Sequence, residues 1–171
     1  AMAETPGQGS VENYQADAGR IAILMRTLYD LPLPTIAAVN GPAIAGGMGI
    51  ATLCDFTLAV PEARFGYTEV RIGFIPAIVS AFLRTQIGDK RCRDLLLTGR
   101  LLSAEEAQTL GLVTRIVPEP DLMPEARALA ARLQRNSPAA IEATKRLLGK
   151  FADRSLSDDI EAAILASVQA R

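Results

Sequence analysis

Histidine is absent from this 171-residue chain. That removes a Ser-His-Asp triad, a Cys-His dyad and histidine metal ligation within it. Cysteine is scarce: Cys54 and Cys92 stand far apart, with no CxxC pair. They read as buried or half-buried thiols of a reducing compartment rather than as a disulfide. No apolar run reaches the about 18 residues of a membrane span. No basic patch followed by an apolar stretch opens the chain, so no secretory leader is read in it and the cytoplasm is the expected location. An excess of one charge is missing too. Eighteen basic and nineteen acidic residues leave a net charge of −1, which provides no basic footprint for nucleic acid. A local basic patch for a phosphate-bearing ligand stays compatible with that balance.

What is present suits a folded enzyme. The length fits one domain with a sizeable core, and 49% of residues are hydrophobic, an ordinary fraction. The first ten residues are polar and turn-rich and read as a flexible loop. Ile21, Leu24, Met25 and Leu28 sit at helical spacing and predict a helix over 11–31, stopped by Pro32 and Pro34. Strands are expected over 35–39, 56–60 and 112–117. Helices are expected over 48–53, over 77–87 with Gly88 after it, and over 90–97. A capping box, Ser103-x-x-Glu106, starts another. The alternation argues for an α/β arrangement wound in the right-handed sense. From Asp121 onward the chain reads as helix. Asp121 is expected to cap 122–135, Ser137-Pro138 to open the next helix, and Ser157 to cap 158–170. In that last helix Ile160, Ala163, Ile164 and Val168 form one apolar stripe, which needs its own core or a neighbouring subunit to cover it.

Chemistry concentrates between residues 35 and 76. The run Thr35-Ile36-Ala37-Ala38-Val39 ends in Asn40-Gly41. The small-residue loop Pro42-Ala43-Ile44-Ala45-Gly46-Gly47 then opens onto an apolar segment ending at Cys54-Asp55. A glycine pair before a helix is either a tight turn or a place where free backbone N–H groups meet a developing negative charge. Glu69 is the sole acidic residue between Glu62 and Asp89. It is either an exposed residue of an alternating strand, Thr68-Glu69-Val70-Arg71-Ile72, paired with Arg71 or Arg64, or a carboxylate that moves a proton.

Together these residues carry a family resemblance. Asn40-Gly41, Gly46-Gly47, Cys54-Asp55, Phe65-Gly66-x-x-Glu69 and Gly73-x-x-Pro76 resemble the enoyl-CoA hydratase/isomerase (crotonase) family. So does the later stretch from Leu97-Thr98-Gly99-Arg100 to Gly111-Leu112-Val113. The resemblance runs from about Ile23 to the C-terminus. It implies a crotonase-type spiral of ββα turns over residues 1–102 and a mostly helical, oligomer-forming section over 103–171. Relative to the family's usual chain it also implies that the N-terminal third, with one of two oxyanion-hole donors, lies outside this sequence.

The implied chemistry is hydration of a 2-enoyl-CoA thioester. The Gly46 N–H would polarise the thioester oxygen, and Glu69 would exchange a proton with the substrate carbon in an apolar setting that raises its pKa. The resemblance places Ala45, Gly47, Pro76 and Ala77 against the substrate. It puts Lys145, Lys150 and Phe151 near the adenine end of coenzyme A. Arg71, Arg84 and Lys90 are either solvated charges or phosphate contacts. Asp55 is expected to be a buried structural carboxylate bonded to backbone donors. No metal or redox cofactor is implied, since coenzyme A arrives with the substrate. A homotrimer or dimer of trimers is implied as the assembly.

Two departures leave alternatives open. Gly49 stands where well-known hydratases of the family carry a second glutamate. A Δ3-Δ2 isomerase that uses one carboxylate, or a non-catalytic assembly fragment, would also suit a glycine there. After Pro76 the chain reads Ala77-Ile78-Val79-Ser80 instead of a glycine run, a pattern similar to methylglutaconyl-CoA hydratases of leucine breakdown.

Overall fold

A computed structural model describes residues 11–169. Helix α1, Val11–Tyr29, ends just before the two prolines. Strand β1, Ile36–Val39, and the two-residue β2, Ala43–Ile44, lead into α2, Gly46–Leu53. Strands β3, Phe56–Ala59, and β4, Arg64–Gly66, precede a 3₁₀ turn at Glu69–Ile72. Helices α3, Ala77–Ile87, and α4, Asp89–Thr98, follow. Then come β5, Leu102–Ser103, α5, Ala104–Thr109, and β6, Arg115–Ile116. Helices α6, Glu119–Leu133, and α7, Pro138–Gln169, close the chain.

The strands form two small sheets. One has the order β1-β3-β6, with parallel pairs. The other has the order β2-β4-β5, parallel then antiparallel. The chain therefore visits both sheets on one circuit and then goes helical, which is the expected ββα winding. One continuous core lies between the sheets and helices. Met48, Leu58, Phe65, Tyr67, Leu83, Leu95 and Leu102 are its largest fully buried side chains.

Several local expectations hold. Ser103 and Glu106 form the reciprocal capping box. Cys54 is half-buried, Cys92 buried, and both thiols are free. Burial pushes both upward in pKa. Ile160 and Ile164 pack on the chain's own core, where α7 crosses α3 and α1. Among the described residues no helix is long and apolar enough to cross a membrane.

Others need correction. Asp121 does not cap α6, because that helix starts two residues earlier. Pro118 precedes it, Pro120 sits in its first turn where a missing N–H is harmless, and the Asp121 N–H bonds the Pro118 carbonyl. Asp121 instead places a negative charge at the positive end of the helix. Ser157 caps nothing, since α7 runs unbroken past it; no proline interrupts the segment, and α3 and α1 give it a surface to lie on. The strand expected over 112–117 shrinks to β6, because the Leu112 and Val113 N–H groups both turn back to the Ala107 carbonyl and close α5. The segment around Glu69 is not a strand. The Arg71 N–H bonds the Thr68 carbonyl at 3.0 Å and the Phe74 N–H bonds the Glu69 carbonyl at 3.0 Å. Gly73, at φ 82°, closes that turn in a left-handed conformation.

Candidate active site

The start of α2 is set by one strained residue. Ala45 has φ 52° and ψ −122°, a region that residues with a Cβ rarely adopt. Two hydrogen bonds hold it there. Its N–H donates to the Gly66 carbonyl at 2.8 Å, and its carbonyl accepts the Gly49 N–H at 3.0 Å. The first bond ties the loop to β4 and the second starts the helix. No side chain caps this end. The leading amides of a helix have no partner within it, and here the exposed Gly46 and Gly47 carry them. No atom lies within 4 Å of where a Cβ would stand on either glycine. Gly46 is exposed and has open space on its Cβ side.

Glu69 opens the 3₁₀ turn and is half-buried. Its Oε2 is shielded from solvent and has no hydrogen-bond partner among the described residues. Desolvation raises the Glu69 pKa above the ordinary carboxylate range, and its own backbone N–H opposes that only partly. Neither arginine considered as a partner takes that role. Arg64 donates to the Pro61, Glu62 and Ala63 carbonyls, and Arg71 is exposed. A buried carboxylate oxygen without a partner is costly. It persists where chemistry uses it.

Gly46 and Glu69 meet. Both line one cavity of about 200 Å³, walled by α1, the start of α2, the 3₁₀ turn and the start of α3. Pro76 and Ala77 line it, with Ile75 and Ile78 beside them.

A family model for enoyl-CoA hydratase/isomerase matches residues 4–168. The chain belongs to that family. A Thermus thermophilus protein named as a candidate enoyl-CoA hydratase is 46% identical over 163 residues, covering 95% of this chain and 64% of the relative. An enoyl-CoA hydratase/isomerase structure from Xanthobacter autotrophicus superposes with a TM-score of 0.89 at 28% identity, over 95% of this chain and 61% of that one. An enoyl-CoA hydratase structure from Mycobacterium avium gives a TM-score of 0.85 at 31% identity, over 94% and 63%. The chain thus spans a little under two thirds of the length of these relatives. The crotonase fold expected from the motifs is the fold observed.

Other family positions divide. Ala45 and Gly47 do not line the cavity; they flank Gly46 and shape its turn. Gly49 faces inward. A Cβ there would stand 2.8 Å from Val79 Cγ1 and 3.0 Å from Met25 Cε. The room for a second acidic side chain is filled by two apolar ones. Lys150 and Phe151 fall within α7, but their side chains lie outside the described residues. Arg71, Arg84 and Lys90 are exposed and line no wall of this cavity.

Asp55 is structural in its bonds but not buried: the residue is exposed. Its Oδ2 accepts the Thr35 N–H at 2.7 Å, the Thr35 hydroxyl at 2.9 Å and the Lys145 ammonium at 2.6 Å. Lys145 also donates to the Leu33 carbonyl at 3.1 Å. Those bonds tie α7 to the loop before β1. A cavity of about 640 Å³ beside this network is lined by Arg26, Asp30, Glu142, Lys145 and Arg146. Each of these charges is paired within the chain.

The wall contributed by α1 was not foreseen. Asp17, Ala18, Ile21 and Met25 all face the cavity. Their spacing is one helical stripe, but the apolar members look like ordinary core positions in sequence. Ile21, 46% exposed, and Leu24, 58% exposed, are not core at all.

Proposed function

We propose that this chain provides the proton-transfer half of an enoyl-CoA hydratase site. The observation that supports it is the shared cavity, lined by Gly46 at the start of α2 and by Glu69, whose Oε2 has no partner among the described residues. A 2-enoyl thioester would seat its carbonyl oxygen at the Gly46 N–H. The water O–H bond breaks, its proton passes to a base at the cavity and its oxygen bonds C3; the π pair shifts toward the thioester oxygen as an enolate, and Glu69 hands a proton to C2. An amide donor aimed at that oxygen lowers the barrier by about 3 kcal/mol, and the raised Glu69 pKa favours the protonated acid that the step needs. A second donor to the same oxygen would come from a segment outside this sequence. Within the substrate class, the run Ile75-Pro76-Ala77 supports a methylglutaconyl-type acyl group, of leucine breakdown. The same reading carries a homotrimer or dimer of trimers in the cytoplasm, with no metal or redox cofactor.

One observation favours a second reading. Val79 and Met25 occupy the space beside Gly49, so position 49 holds no water. Isomerisation needs none: Glu69 removes a proton from C2 of a 3-enoyl thioester and returns it at C4. Assays with crotonyl-CoA and a 3-enoyl-CoA separate the two readings. Glu69→Gln is expected to abolish whichever reaction is found; full activity in that variant would sink both.

A further inference from the structure

We propose that Asp17 is the second proton carrier of this site, the base that takes a proton from the attacking water. This rests on the hydratase reading above. Hydration moves two protons, one off the attacking water and one onto C2, and two groups in opposite protonation states can each carry one. Position 49 offers no side chain and no room for one.

The cavity wall supplies an alternative. Among the described residues Asp17 and Glu69 are the two carboxylates that line it. They belong to different elements, α1 and the 3₁₀ turn. The space they share has a volume of about 200 Å³. The two environments differ. Glu69 has a solvent-shielded oxygen with no partner. The Asp17 side chain is 58% exposed, and its Oδ1 accepts from Arg20 at 2.8 Å. Arg20 sits one helical turn further along α1, where the bond holds the Asp17 rotamer. Asp17 Oδ2 has no bond to any described residue.

In the balanced step the water O–H bond breaks and its proton goes to the Asp17 carboxylate. The hydroxyl bonds C3 and the Glu69 carboxylic acid gives its proton to C2. Afterwards Asp17 releases its proton to the solvent it faces, and Glu69 regains one. Isomerisation involves no water and has no use for Asp17.

The test compares both reactions in the purified protein. Asp17→Asn is expected to lower kcat for crotonyl-CoA hydration about 100-fold. KM should stay within about twofold, and 3-enoyl-CoA isomerisation should fall far less than hydration. Asp17→Glu is expected to restore most of the hydration rate. Arg20→Gln should give an intermediate loss. If Asp17→Asn hydrates at the wild-type rate, or loses both reactions equally, the assignment of Asp17 is wrong. Glu69→Gln tells the two ideas apart. A dead Glu69→Gln beside a fully active Asp17→Asn overturns Asp17 alone, whereas an active Glu69→Gln, or full-length protein carrying the segment with the second donor that performs neither reaction, overturns the hydratase reading and Asp17 with it.

Discussion

The two ends of helix α2 are treated in opposite ways. At its C-terminal end polar groups are fully matched. Asp55 takes a backbone N–H, a hydroxyl and an ammonium on a single oxygen, and the Asp55 N–H in turn donates to the Thr35 hydroxyl at 3.0 Å. At its N-terminal end only the Ala45 backbone is matched. Ala45 sits in a strained conformation, no side chain caps the helix, and across the cavity Glu69 keeps an unbonded, solvent-shielded oxygen. Eight residues of one helix separate a site that resembles a structural clasp from one with the features of a catalytic centre. Unmatched polarity and local strain destabilise the fold, so they mark where a ligand is expected to complete the bonding.

The largest effect that could break this contrast is on activity. Glu69→Gln is expected to lower turnover at least 100-fold while leaving the fold intact, as read by kcat and circular dichroism. Next comes crowding of the helix interior. Gly49→Glu must displace Val79 and Met25 and is expected to destabilise by about 3 kcal/mol, measured by urea unfolding. Adding Val79→Ala to Gly49→Glu should recover part of that loss. At the clasp, Asp55→Ala is expected to cost about 2 kcal/mol with kcat nearly unchanged. Substantial loss of kcat in the folded Asp55 variant would erase the distinction between the ends. Relief of strain is smaller still: Ala45→Gly should stabilise by about 1 kcal/mol.

The smallest effect concerns pH. The folded pKa of Glu69 lies above its unfolded value, so its ionisation disfavours the folded state once pH rises above the ordinary glutamate range. That penalty is complete above the folded pKa and disappears below the unfolded one. Glu69→Gln removes it. The variant is therefore expected to melt slightly higher than wild type at pH 8, and the two Tm values should converge as pH falls toward 4. A gap that widens on acidification would show that Glu69 is paired rather than merely desolvated.

Much of the architecture was legible because its signals are local. Proline pairs, helix-ending glycines and the Ser103–Glu106 box act within a few residues, and α3, α4 and α5 lie where those signals place them. Short pairings were not legible. β2, β4 and β5 span two or three residues each, too few for a periodic pattern, and they exist because a neighbouring strand accepts their hydrogen bonds. The stretch from Thr68 to Ile72 alternates like a strand, yet 3₁₀ bonding and Gly73 fold it into a turn.

The sequence by itself determined the family and the ββα winding, and it singled out Gly46 and Glu69 as candidates, since glycine pairs and isolated carboxylates announce themselves by type and spacing. Only the tertiary structure decided what surrounds them. Burial without a partner, the filling of the space beside Gly49 by Val79 and Met25, and the arrival of Asp17 at the cavity from α1 all depend on groups distant along the chain. Distance in sequence carries no record of such meetings; folding brings these side chains together, and the resulting desolvation sets their chemistry.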